Sequence, residues 1–129
     1  VDAARGESVF GVGYLLEGEV SCSGRRVFYG TYTSMEAEYY ALAEGLRVAS
    51  VGSESNEYCE AYSDCRPLVD KMCGDERCRD DWQSYRASFD WLASKFDTYQ
   101  LSTCDRSSNR TAHVLARKAL REGREHSNS

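Results

Sequence analysis

Thr33-Ser34-Met35-Glu36-Ala37-Glu38-Tyr39-Tyr40-Ala41-Leu42 is the stretch where the chain changes its hydrophobic period, and it decides the fold. From Thr33 to Ser50 the apolar residues recur at helical spacing. At about 100° per residue, Met35, Tyr39, Leu42, Leu46 and Ala49 share one face. Thr33 or Ser34 can cap the start, and Gly52 follows the end. Glu36 and Glu44 project to the polar side with Arg47. Glu38 projects between Leu42 and Ala41, on the rim of the apolar face. A carboxylate aimed there must snorkel, pair with an arginine or bind a metal.

Before this helix the chain reads as strands. Val9 to Leu16 is the first clear one, Glu17-Gly18-Glu19 makes a turn, Val20-Ser21-Cys22 begins a second, and Arg25 to Tyr29 is a third. Short connections predict an antiparallel meander. After the helix, Tyr58 to Ser63 is a strand that ends at Asp64. Pro67 opens a short helix that Gly74-Asp75 ends. Trp82, Tyr85, Phe89, Leu92 and Phe96 step by three and four, which predicts another helix. Thr98 to Cys104 is the next strand, Asp105 to Ser108 a polar loop, and Asn109 to about Glu122 the last helix. The polar tail from Gly123 is expected to fray. The predicted order is β-β-β-α-β-α-α-β-α, an α/β fold with a mixed sheet and helices against it. One catalytic domain over 1–122 and a tail over 123–129 are expected. Only Val1 precedes Asp2, which reads as a trimmed start.

Composition narrows the function. The 129 residues make one domain, and 41% hydrophobic with 29% charged residues excludes wholesale disorder. No apolar run approaches the roughly 20 residues of a membrane span, and no basic-then-apolar leader is present, so a cytoplasmic location is expected. The net charge of −5 disfavours non-specific coating of nucleic acid but not a site that reaches phosphate through metal ions. Arginine makes up 13 of the 16 basic residues, a bias that fits a GC-rich genome or a salt-adapted surface. The six cysteines form no C-x-x-C pair and read as reduced packing thiols. Zinc on Cys65, Cys73 and Cys78 is the weaker reading, because the spacing is irregular and no histidine lies near.

Four further positions stand out. Asp64 ends a strand just before a helix, where it can cap that helix or bind a ligand at the sheet edge. Asp2 lies either in the sheet or at a frayed end. On the last helix, Arg110, Arg117, Arg121 and Arg124 form one stripe, beside a buried face of Ala112, Leu115, Ala116, Ala119 and Leu120. His113 lies between the two. It is either a solvated edge side chain or, near phosphate or metal, a ligand, proton shuttle or phosphate donor.

Together these residues resemble the ribonuclease H family, from Val1 to about Leu120. Val1-Asp2-Ala3-Ala4 with Gly11-Val12-Gly13-Tyr14 is similar to its opening. Thr33 to Leu42 resembles its T-x-x-x-A-E-x-x-A-L helix, whose Glu corresponds to Glu38. Tyr62 to Val69 resembles the strand end whose Asp corresponds to Asp64, and Asn109 to Ala116 resembles the N-x-x-A-D-x-L-A helix. The resemblance implies a ribonuclease H-like fold with a five-stranded mixed sheet, three antiparallel strands followed by βα units, flanked by helices. It implies a metal-dependent endoribonuclease that hydrolyses the RNA strand of an RNA/DNA hybrid with two Mg²⁺ or Mn²⁺ ions. Asp2, Glu38, Asp64 and His113 would be the catalytic and metal-binding set, with Asp2 bridging both ions and Glu38 and Asp64 on opposite sides. Asn109, Arg110 and Arg106 would contact substrate. No membrane, no obligate protein partner and a monomer are expected.

Three departures matter. His113 stands where the family carries its fourth Asp, which leads us to expect Mn²⁺ to serve at least as well as Mg²⁺. The loop Asp105-Arg106-Ser107-Ser108 lacks the histidine of some bacterial members, and Arg106 or His113 would stand in. The segment Gly74–Asp80 holds only Arg77 and Arg79, so the basic substrate handle of some members is absent. Two alternatives share the fold: a module that binds hybrid or double-stranded RNA without turnover, and a different nuclease such as an exonuclease or junction resolvase.

Overall fold

A computed structural model describes residues 1–17, 21–52, 57–73 and 80–127. Nine elements follow in the predicted order: β1 (Asp2–Arg5), β2 (Val9–Leu16), β3 (Cys22–Tyr29), α1 (Ser34–Gly52), β4 (Tyr58–Ser63), α2 (Arg66–Cys73), α3 (Asp80–Ala93), β5 (Thr98–Thr103) and α4 (Arg110–Ser127). Strands β1, β2 and β3 run antiparallel and β4 and β5 parallel, giving the five-stranded mixed sheet the sequence implies. The two halves adjoin where the Val1 nitrogen donates to the Tyr62 carbonyl at 3.1 Å.

The strand count is as expected, but its assignment is not. Asp2–Arg5 is a strand of its own, with Asp2 opposite Gly13 on β2. The expected second and third strands are one, β3, and Ser23-Gly24 lies inside it opposite Leu15 and Tyr14. Gly24 marks a close approach rather than a turn, because the Tyr14 ring lies where a Cβ would be. Val20, the expected start of the second strand, and Gly74-Asp75, the expected end of the short helix, lie outside the described residues.

Helix α4 also departs from expectation. It runs five residues past Glu122, and Gly123 is buried instead of frayed. The cause is a stripe of small residues facing glycines on β2. A Cβ at Gly11 would lie 2.5 Å from the Leu120 nitrogen, and one at Gly13 2.6 Å from the Ala116 nitrogen. At Gly123 a Cβ would meet Val9 and Val27 at 2.6 Å. Helix and sheet backbones therefore touch, and Gly13→Ala would force them apart.

Helix α1 begins with a capping box. Thr33 Oγ1 accepts from the Glu36 N–H at 3.1 Å, and Glu36 Oε1 accepts from the Thr33 N–H at 3.0 Å. The helix is buried on two sides. Tyr39, Leu42 and Leu46 join Leu68, Val69, Met72, Trp82, Phe89, Phe96 and Leu101 in the larger core, while Ala37 and Ala41 pack on Phe10 and Val12. Helix α3 ends at Ala93, short of the periodic residue Phe96. Phe96 still enters the core through a turn closed by its N–H on the Ala93 carbonyl, at 3.1 Å. Glu44, expected on the polar side, is instead buried and ion-paired with Arg26 and Arg47.

Candidate metal centre

Three carboxylates converge at one end of the sheet. Asp2 starts β1, Glu38 sits in the second turn of α1, and Asp64 follows β4. Each offers an oxygen, and the three oxygens lie within 4.8 Å of one another. Among the described residues no other group of His, Cys, Asp and Glu gathers in this way. Cys78, one of the three thiols of the zinc reading, lies outside the described residues, and the Cys73 thiol donates to the Leu101 carbonyl at 3.5 Å.

Local structure aims each carboxylate. Asp2 is 3% exposed and its Oδ2 lies 2.7 Å from His113 Nδ1, so α4 holds it from one side. The position ahead of Asp2 is fixed by Asn109, whose amide nitrogen donates to the Val1 carbonyl at 2.6 Å and whose oxygen accepts from the Val1 nitrogen at 3.4 Å. Asn109, expected to contact substrate, is buried, and both ends of its amide hold β1. Asp64 sits one residue too early to cap α2, since Cys65 holds the capping position and its carbonyl accepts from Leu68 and Val69. The buried Ser63 fixes that strand end: its Oγ accepts from the Cys65 N–H at 3.1 Å, and its carbonyl from the Cys104 N–H at 3.1 Å. Asp64 lies 3.9 Å from the exposed Arg106.

The electrostatics are those of crowded acids. Burial first, and then the neighbouring Asp2 and Asp64, push Glu38 up to about 8. Its Oε2 is buried without a hydrogen-bond partner. Burial also raises Asp2, with Asp64 adding to the rise and the hydrogen bond to His113 opposing it. A buried carboxylate oxygen without a donor is costly, and two acid neighbours worsen it. A divalent cation relieves all three charges at once, and hard carboxylate oxygens are the ligands Mg²⁺ and Mn²⁺ take. The donor set therefore fits such an ion.

The structure thus brings Asp2, Glu38 and Asp64 together and attaches His113 to Asp2. Arg106 stands at the rim, and Arg110 is exposed at the start of α4. Sequence reasoning missed Cys65 and Cys104, which flank Asp64 along the chain and across β5. Burial pushes both thiols up, and the carboxylates add to the rise. The pairing of Ser63 with Thr103 was the signal, since it carries Cys104 to the level of Asp64.

The model of one family, described as reverse transcriptase-like, matches residues 5–119. The chain belongs to that family. It is 29% identical over 126 residues to EbsB of Enterococcus faecalis, a protein provisionally named a hydrolase; the match covers 95% of this chain and 92% of that one. Among solved structures it is similar to ribonuclease H1 of Halobacterium salinarum, with a TM-score of 0.81 and 26% identity over 94% of each chain. It also shares its fold with the N-terminal ribonuclease H domain of a Mycobacterium tuberculosis protein, with a TM-score of 0.82 and 22% identity over 98% of this chain and 94% of that one. The fold is ribonuclease H-like, and its acidic cluster is a candidate metal site. No helix among the described residues is long and apolar enough to cross a membrane.

Proposed function

We propose that the protein is a metal-dependent endoribonuclease that cleaves the RNA strand of RNA/DNA hybrids, acting in the cytoplasm as a monomer. One observation carries this reading: the partnerless buried oxygen of Glu38 inside a cluster of three carboxylates. Glu44, a structural acid, has both its oxygens paired with arginines, whereas the enclosed Oε2 of Glu38 has no donor. The similarity to the Halobacterium enzyme, named a ribonuclease H, supports the substrate class.

Asp2, Glu38 and Asp64 would hold the ions, with His113 completing the set on the α4 side. A bound pair of Mg²⁺ or Mn²⁺ ions lowers the pKa of water and stabilises the leaving oxygen of a phosphodiester. The chain's own residues do the rest. Asn109 fixes β1, so that Asp2 keeps its position against the other two acids. His113 orients the Asp2 carboxylate and can carry a proton at the rim. Arg106 and Arg110 present guanidinium groups to phosphate at the edge of the cluster.

The test is cleavage of an end-labelled hybrid with Mg²⁺ or Mn²⁺, beside duplex RNA, duplex DNA and single strands. RNA cut only in the hybrid and only with metal is the expected result. Tight binding without cutting in either metal would replace this reading with a hybrid-binding module.

A further inference from the structure

Helix α4 is cationic in an acidic protein. It holds five of the chain's sixteen basic residues and two acids, Glu122 and Glu125, against a net charge of −5 for the whole chain. Four of the five share one flank. At about 100° per residue, Arg110, Arg117, Arg121 and Arg124 fall within roughly 60° of each other, centred about 140° around the helix from the buried stripe of Ala112, Ala116, Ala119 and Gly123. All four are exposed, and among the described residues none forms an ion pair.

Two contacts show where this flank lies. At its beginning, His113 Nδ1 is 2.7 Å from Asp2 Oδ2. At its end, Arg124 Nε is 3.2 Å from the place a Cβ would take on Gly6. The flank therefore follows β1 from the carboxylate cluster to the β1–β2 turn. From Arg110 to Arg124 it runs about 21 Å at 1.5 Å per residue. Glu122, on the side of the helix toward β3, accepts from Arg25 at 2.7 Å. The other arginines close to the sheet are engaged: Arg26 and Arg47 hold Glu44, and Arg5 donates to the Tyr32 carbonyl at 3.2 Å.

We infer that the Arg110, Arg117, Arg121 and Arg124 flank of α4 is a track for the phosphates of nucleic acid leaving the carboxylate cluster. This rests on reading the cluster as a nuclease centre. The physical need is plain. Three converging carboxylates repel a polyanion, so affinity must come from cations close by, and guanidinium groups grip phosphate in pairs of hydrogen bonds. A run of about 21 Å covers roughly six base-pair steps at 3.4 Å each. The track supplies grip in a chain whose segment 74–79 holds only two arginines.

The test uses Arg117→Gln/Arg121→Gln/Arg124→Gln in an Asp64→Asn background, which binds without turnover. Binding of a labelled twelve-base-pair hybrid is followed by anisotropy from 50 to 300 mM salt. Each lost phosphate contact should lower the slope of log K against log salt by about 0.7–0.9, so the triple variant should lose about 2–3. Its Kd at 100 mM should rise at least tenfold, and each single variant should lower the slope by roughly one. Lys95→Gln/Lys118→Gln, off the flank, should leave the slope nearly unchanged, and circular dichroism should show all variants folded. A folded triple variant with the wild-type Kd and slope overturns the track and leaves the nuclease reading standing. An Asp64→Asn protein that does not bind hybrid, with a wild type that does not cut it, overturns both. Loss confined to anionic phospholipid vesicles, with hybrid binding intact, also overturns the track.

Discussion

Glu38 and Glu44 lie six residues apart on the same helix; Glu44 is buried, and Glu38 is half-buried with one carboxylate oxygen enclosed. Glu44 is 6% exposed, and both its oxygens are paired, with Arg47 at 2.6 Å and Arg26 at 2.9 Å. Burial alone would raise it, but the hydrogen bonds from Arg47 and Arg26 outweigh that and hold it below the usual carboxylate range. Glu38 has two acids for neighbours, an oxygen with no donor, and a pKa pushed up to about 8. The fold satisfies one carboxylate and leaves the other in want of a cation. That difference separates a structural acid from a site, and neither depth nor residue type alone would have done so.

The largest expected effect is on turnover. Asp64→Asn and Glu38→Gln should each lower hybrid cleavage by about a thousandfold or more, because each removes a charge the ions need. Glu44→Gln should leave cleavage within a few-fold of wild type. A Glu44 variant as dead as Glu38→Gln would erase the distinction.

Stability should reverse the ranking. Glu44→Gln removes the partner of two half-exposed arginines and should cost about 1–2 kcal/mol in urea unfolding at pH 7. Glu38→Gln removes an acid that must take up a proton on folding and should raise the melting temperature of the metal-free protein at pH 7. The pH dependence separates the two by sign. Glu38 is raised in the folded state, so the metal-free protein should lose stability as pH climbs from about 4.5 to about 8. Asp2, also raised, adds to that loss. Glu44 is lowered, so its contribution is present above the ordinary carboxylate pKa and fades as pH falls below it. Thermal melts of wild type, Glu38→Gln and Glu44→Gln in EDTA from pH 4 to 8.5 resolve the two slopes. A wild type whose stability stays flat over pH 5–8, with no change on Glu38→Gln, would contradict the crowded cluster.

Much of this was legible in the sequence, and the failures share a cause. Helical projection placed Glu38 on the apolar rim, and the strand ending at Asp64 left that acid open between a helix cap and a ligand. The same projection put Glu44 on the polar side, because it treats a helix as having one buried face. Helix α1 has two, since Ala37 and Ala41 pack on β2 while Leu42 and Leu46 face α2 and α3. Cys22 and Arg25 read as parts of two strands because a glycine between them does not by itself separate a break from a ring lying on the backbone. The hold of Asn109 on β1 was not legible, because its partner, Val1, is 108 residues away. Local pattern carried the order of elements; long-range pairing decided which polar side chains remain free.

The smallest effect concerns the ion. His113 stands where the resemblance to ribonuclease H implies an acid, and its ring nitrogen lies 2.7 Å from Asp2. As a partner of Asp2 it acts through orientation, and His113→Ala should weaken metal affinity by about 10–100-fold without changing which ion is preferred. As a ligand in its own right it should favour Mn²⁺, since imidazole suits softer ions than Mg²⁺. We expect Mn²⁺ to support cleavage at least as well as Mg²⁺, and His113→Asp to move the ratio a few-fold toward Mg²⁺. Metal titrations of wild type and both variants on one hybrid measure this. A strong Mg²⁺ preference in wild type, unchanged by His113→Asp, would confine the histidine to holding Asp2. The contrast along α1 would then extend to α4: of the four candidate groups, three would meet the ion and one would keep a ligand in place.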